Sequence, residues 1–128
     1  MTSQEIIARI NARVYEPKVS YPGLRKTQKF IWDEEKSVRW NREQEVLQEQ
    51  EYEKMLDAYK QSMNEGYRQF KEDVHSMLES NYGLNETQRS LVFAAAYEEG
   101  HSAGFSEVLH YVGEYATFAS EIIEAQGN

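Results

Sequence analysis

Apolar positions along the chain fall into helical spacing almost from its first residue. Ile6, Ile7, Ile10 and Val14 recur at three- and four-residue steps, forming one stripe. They follow Thr2-Ser3-Gln4-Glu5, an order in which hydroxyl and carboxylate can satisfy each other's backbone N–H groups. This predicts a short amphipathic helix ending before Pro17; at about four turns it is marginal alone and must pack against something. Pro17 and the Pro22-Gly23 pair then break the pattern, so residues 16–32 read as an irregular or extended arm. From Asp33 or Ser37 to about Ser80 the chain reads as helix again. Tyr52, Leu56, Tyr59, Met63, Tyr67, Phe70, Val74 and Met77 advance by three or four residues each, and Glu49–Glu53 and Asp57–Lys60 supply a polar opposite face. Gly66 is the weak point of that run, costing about 1 kcal/mol against alanine.

A helix of some 44 residues would span roughly 66 Å, whereas a compact domain of this length has a radius of gyration of about 14 Å. Such a helix either breaks near residues 41–48, where the apolar pattern thins, or pairs with another subunit. Asn81-Tyr82-Gly83-Leu84 reads as a helix stop. Asn85-Glu86-Thr87-Gln88 restarts it, with Asn as cap and Gln at the third position. Leu91 to Tyr97 continues as helix. Residues 100–104 are either a short break or small residues within one helix running to about Glu124; if continuous, Ala96, Gly100 and Gly104 would offer a groove for close helix approach. Phe105, Val108, Leu109, Val112, Tyr115, Ala116 and Ala119 keep helical spacing beyond. The expected fold is all-α: a short N-terminal helix and basic arm over residues 1–32, then a long antiparallel helical hairpin over residues 33–128, forming a homodimer.

The 128 residues include 40% hydrophobic and 28% charged side chains, enough for a modest core, and no cysteine. Disulfides, thiolate metal sites and thiol nucleophiles are therefore excluded. The longest apolar run, Leu91 to Tyr97, is far shorter than the roughly 18 residues of a membrane span. With no apolar stretch resembling a secretory signal at the N-terminus, a soluble cytoplasmic protein is expected. Charge is uneven. Residues 1–32 carry six bases against two acids, residues 33–84 seven against thirteen, and residues 85–128 only Arg89 against seven acids. Such asymmetry marks an interaction arm, or one that folds back on the protein's own acidic body.

Each histidine follows a glutamate by three residues, in the pairs Glu72/His75, Glu98/His101 and Glu107/His110. Glu-x-x-His is the spacing of carboxylate-bridged metal bundles. In a hairpin turning near residue 83, however, the pairs do not converge within one chain, and surface ion pairing is the plainer expectation. Gly100-x-x-x-Gly104 lacks the preceding strand and the lysine of a phosphate loop. His101 and Ser102, adjacent on a helix, point about 100° apart, which is wrong for a nucleophile and its base. Gly100, His101, Ser102, Gly104 and Glu107 are instead expected to serve helix packing. Neither catalytic residues nor a cofactor nor a resident metal is expected. Arg25, Lys26, Lys29, Phe30 and Trp32, with Trp40 beyond them, combine bases and aromatics. With Lys18 the arm holds four bases, few for a single-strand contact, and the acidic body repels phosphate, so these six are expected to contact protein.

Two stretches, Asp33 to Glu43 (DEEKSVRWNRE) and Ala96 to Val108 (AYEEGHSAGFSEV), resemble small accessory proteins encoded by bacteriophages. These carry a similar KSV-x-WN-x-E stretch early and a GHS-x-G-x-x-EV stretch near the end. The two stretches cover about 24 residues, with a looser likeness over residues 33–120 and none over residues 1–30. The resemblance implies phage origin and the host bacterial cytoplasm, and brings no catalytic residues with it. Small acidic phage proteins often bind and disable a host protein. The leading expectation is therefore a non-enzymatic protein that binds a host or phage protein through helix faces and the arm. The alternatives are an acidic DNA mimic acting through glutamates such as Glu114 and Glu121, and a metal-binding helical-bundle dimer. Physically, Ser37 is placed to cap a helix with Val38 and Trp40 anchoring its first turn.

Overall fold

A computed structural model describes residues 1–24 and 29–127. Among the described residues four α-helices follow in order: α1 (Ser3–Asn11), α2 (Val38–Tyr82), α3 (Glu86–Gly100) and α4 (Phe105–Gly127), with the 3₁₀ turn His101–Ala103 between the last two. The described residues contain no strand. The all-α class, the short first helix and the long second one are as the spacing predicts, and α2 runs through residues 41–48 without a break. The return arm of the expected hairpin is two helices that fold against each other. The chain divides into two compact units, Met1–Tyr15 with Gly66–Asn128, and Glu16–Glu65. The first helix thus groups with the C-terminal helices, and the arm with the first part of α2, a division other than one at residues 32 and 33.

Local chemistry accounts for the helix ends. Thr2 Oγ1 accepts from the Glu5 amide at 3.1 Å, capping α1. That helix stops at Asn11, earlier than its apolar spacing suggests, because Arg13 takes a left-handed conformation with φ 60°. Ser37 Oγ accepts from the Trp40 amide at 3.1 Å and opens α2. At the other end Gly83, with φ 64°, lets the Leu84 amide reach back to the Leu78 carbonyl, a six-residue closure that satisfies an otherwise orphaned acceptor. Asn85 and Gln88 form the reciprocal cap that their spacing predicts, at 2.9 and 2.8 Å.

The core lies in the unit built from residues 1–15 and 66–128. Ile6, Tyr15, Phe70, Val74, Met77, Leu78, Leu84, Val92, Phe93, Ala96, Val108, Val112 and Ala116 are buried there. Ile10 and Val14 pack against it, but Ile7 faces outward, since three consecutive-face positions suffice for so short a helix. Tyr15, Phe70 and Phe105 meet as an aromatic cluster, with ring centroids 5.2, 5.8 and 4.5 Å apart. Within it sits one buried carboxylate. Asp73 Oδ2 accepts from Tyr15 Oη at 2.5 Å and from Arg9 at 2.7 Å, while its Oδ1 accepts from Gln69 Nε2 at 3.1 Å. Burial, followed by the Asp73 contact, holds the Tyr15 hydroxyl well above the usual phenol range, so it stays a donor.

At Gly66 the backbone of Tyr15 lies directly against α2. A Cβ built there would stand 2.0 Å from the Tyr15 carbonyl oxygen, a backbone atom that has no rotamer to retreat to. The Gly66→Ala protein should therefore lose at least about 2 kcal/mol in urea unfolding, against the roughly 1 kcal/mol gain that helix propensity alone forecasts. Removing the hydroxyl with Tyr15→Phe should cost about 1.5–3 kcal/mol, the scale of a hydrogen bond to a charged acceptor. Urea unfolding of the two proteins checks both values.

Candidate interaction surfaces

The arm is attached to its own chain. In the unit of residues 16–65 the Lys18 amide donates to Ser62 Oγ at 2.5 Å, the Tyr21 and Tyr59 rings lie 5.1 Å apart, and Tyr52 Oη donates to the Gly23 carbonyl at 2.9 Å. Described arm residues thus run antiparallel to α2, which is the folding-back that the charge asymmetry allowed. Arg25 and Lys26 lie outside the described residues. Lys29 is exposed, Phe30 half-buried, and Ile31 and Trp32 are 87% and 46% exposed.

Asn41, buried, explains part of the KSV-x-WN-x-E stretch. Its Oδ1 accepts from the Asp33 amide at 2.8 Å, and its Nδ2 donates to the Asp33 and Ser37 carbonyls at 3.0 and 2.9 Å. One amide side chain therefore pins the turn that leads into α2. Val38 and Trp40 do not bury as anchors: both are exposed, and Lys36 Nζ lies 5.7 Å from the Trp40 ring centre. Trp40 is thereby available at the surface, as its selection for protein contact requires.

Away from the arm, α2 has an open face. Asn41 and Tyr52 are eleven residues apart and so share one side of the helix, whereas Val46, five residues from Asn41, sits about 140° round. Val46 and Leu47 are 52% and 54% exposed, and with Val38, Arg39, Arg42, Glu43 and Gln50 they line a shallow, mainly apolar groove. Arg39 Nε approaches Glu43 Oε1 to 3.2 Å along it. Val46 and Leu47 stand outside the stripe that begins at Tyr52, so helical spacing does not single this surface out. The thinning of the pattern at residues 41–48 was the signal.

At the joint of α3 and α4 the five packing candidates take different parts. Gly100 is buried, and a Cβ there would lie 2.7 Å from the Val108 amide nitrogen, so close approach of the two helices requires glycine. Gly104 does not sit at a helix crossing. It turns the chain, with φ 108° and open space where a Cβ would be, because residues 101–104 leave the helix. His101 is exposed, with Nδ1 2.8 Å from the Tyr97 carbonyl oxygen and its ring stacked on that of Tyr97. Ser102 is exposed and Glu107 half-buried in the first turn of α4.

The Glu-x-x-His pairs go separate ways. Glu72 pairs with Arg68, His101 with the Tyr97 backbone, and His110 Nε2 lies 3.2 Å from Glu114 Oε1 rather than at Glu107. Among the described residues, no group of three histidines or carboxylates is placed to hold a metal ion. His75 is half-buried beside the Phe93 ring, its Nε2 enclosed and without a hydrogen bond. Burial first, then Lys71 and Arg89, hold its pKa below the ordinary imidazole value against the opposing pull of Glu86. The sign follows from linkage: below pH about 6.5 the unfolded chain binds a proton that the folded one resists. Stability should fall as pH drops through that value toward the lower folded pKa. In melts from pH about 7 to about 5, His75→Gln should show a shallower decline than the parent.

Among the described residues no helix is long and apolar enough to cross a membrane. Residues 7–123 match DUF8546, a family of unknown function. No curated protein and no solved structure matches the chain.

Proposed function

The chain belongs to that family of unknown function, and we propose that it is a non-enzymatic phage accessory protein that binds a host or phage protein and modulates or inhibits it. The observation that carries this is the open apolar face of α2, Val38, Val46 and Leu47 with Arg39 and Arg42, in a unit whose other side is occupied by the arm. Apolar residues next to arginines, with tryptophans nearby, are the usual composition of a binding hot spot. Trp32, Trp40 and Ile31 extend the exposed aromatic and apolar surface of the same unit. Phage origin and action in the cytoplasm of an infected bacterium come from the resemblance of the two motif stretches, whose residues here shape a turn at Asn41 and a helix joint at Gly100. The expectation of a homodimer stays with the exposed length of α2, and sedimentation over a range of concentrations tests it.

Two paired substitutions test the binding role: Val46→Glu with Leu47→Glu on the α2 face, and Phe30→Ala with Trp32→Ala on the arm. Each is read by capture from nuclease-treated bacterial lysate, with circular dichroism to show that the helices persist. The α2 pair should reduce capture of the partner at least about tenfold and the arm pair by a smaller factor. Undiminished capture by both folded proteins would overturn the proposal.

A further inference from the structure

Helix α4 turns one face to the protein's own core through Val108, Leu109, Val112, Ala116 and Ala119. Beside that face runs a second apolar row. Tyr111, Tyr115, Phe118 and Ile122 advance by four, three and four residues, the spacing of a helix-pairing seam. The tyrosines are half-buried with rings stacked 6.0 Å apart, but Phe118 is 64% and Ile122 42% exposed. Along the outer edge of the row Glu107, Glu114 and Glu121 recur every seven residues, the position from which a paired helix is read electrostatically. Glu98 and Glu99 of α3 act on the same surface: the Tyr115 hydroxyl is raised above its ordinary range by burial first, and then by Glu99, Tyr111, Glu114 and Glu98. Arg89 is the only lysine or arginine in residues 85–128, so α4 carries none of its own to offset these carboxylates, and His110, with Nε2 3.2 Å from Glu114 Oε1, is the one basic side chain the helix sets beside them.

Charge also decides which occupant fits. A second copy pairing antiparallel through this seam would set one glutamate row against the other. In parallel order the row would face Val112 and Ala119, which are already held in the core. Like charges in register are costly and select against such pairing. The geometry points to α4 as the docking face for an amphipathic helix of a partner protein, one that carries lysine or arginine beside its apolar seam. Phe118 and Ile122 supply the apolar anchors, and Glu107, Glu114 and Glu121 select the basic flank. This inference rests on the binding function proposed above and names the partner chemistry at a second surface.

The probe is a labelled synthetic amphipathic helix of about three heptads, leucine along its seam and lysine beside it, titrated against the full chain by fluorescence anisotropy. A matched peptide with glutamate in place of lysine is the comparison. The lysine peptide should bind and the glutamate peptide should not. Phe118→Ser with Ile122→Ser should weaken the lysine peptide at least about tenfold although every charge is kept. Glu114→Lys with Glu121→Lys should exchange the preference, so that the glutamate peptide now binds; this gain also shows that the variant is folded. Equal binding of the two peptides, or binding indifferent to the Phe118 and Ile122 changes, would overturn the inference, the latter by revealing charge attraction alone. Self-association abolished by Phe118→Ser would overturn it in favour of a second copy. If the peptides fail here while the α2 variants still lose their partner from lysate, the docking face falls and the binding function stands.

Discussion

Burying the Asp73 carboxylate carries a desolvation cost that only close donors can offset. Two of its three donors, Arg9 and Tyr15, come from the N-terminal fifteen residues, and the third, Gln69, lies one turn away on α2. The carboxylate therefore fixes where the N-terminal segment docks. A nine-residue helix gains little from its own hydrogen bonds, so α1 exists because Ile6 is buried and because Arg9 and Tyr15 are held. The same contact places the Tyr15 ring against Phe70 and Phe105, joining residues from α2 and the start of α4. It also brings the Tyr15 backbone so close to α2 that only glycine fits at position 66.

Much of this fold was legible because caps and apolar periods are local. The caps at Thr2, Ser37 and Asn85 are each written within four residues, and each side-chain oxygen accepts the amide three residues on, with the reciprocal bond formed between Gln88 and Asn85. The late core followed from three- and four-residue spacing, with Phe70, Val74 and Met77 buried in turn. What escaped is what depends on distant partners. Tyr15 and Asp73 are 58 positions apart, and nothing near either residue announces the other. Gly66 reads as a weakness in a helix until the Tyr15 carbonyl is seen beside it. The alternatives at residues 100–104 resolve only once Val108 is known to crowd Gly100 while Gly104 faces open space.

The surface candidates were partly legible for a related reason. A row such as Phe118 and Ile122 has helical spacing whether or not anything in its own chain covers it, so period alone does not separate it from the core. Exposure separates the two cases, and on α4 it splits neighbouring apolar rows into one that is covered and one that is open. The arm shows the converse. Its basic and aromatic make-up suggested an outside partner, yet Lys18, Tyr21 and Gly23 meet α2 of their own unit.

The proposed function divides the protein between a buried frame organised by Asp73 and open helix faces left for a partner. Amide hydrogen exchange, measured on the chain alone and again with its captured partner bound, addresses that division directly. Slow exchange in α2 beyond residue 66 and in α3 should be present in both states, with new protection appearing over residues 38–50 or along the outer row of α4. Protection that arises first around Tyr15, Gln69 and Asp73, with the open faces unchanged, would contradict the account: the core would then be the part that a partner orders.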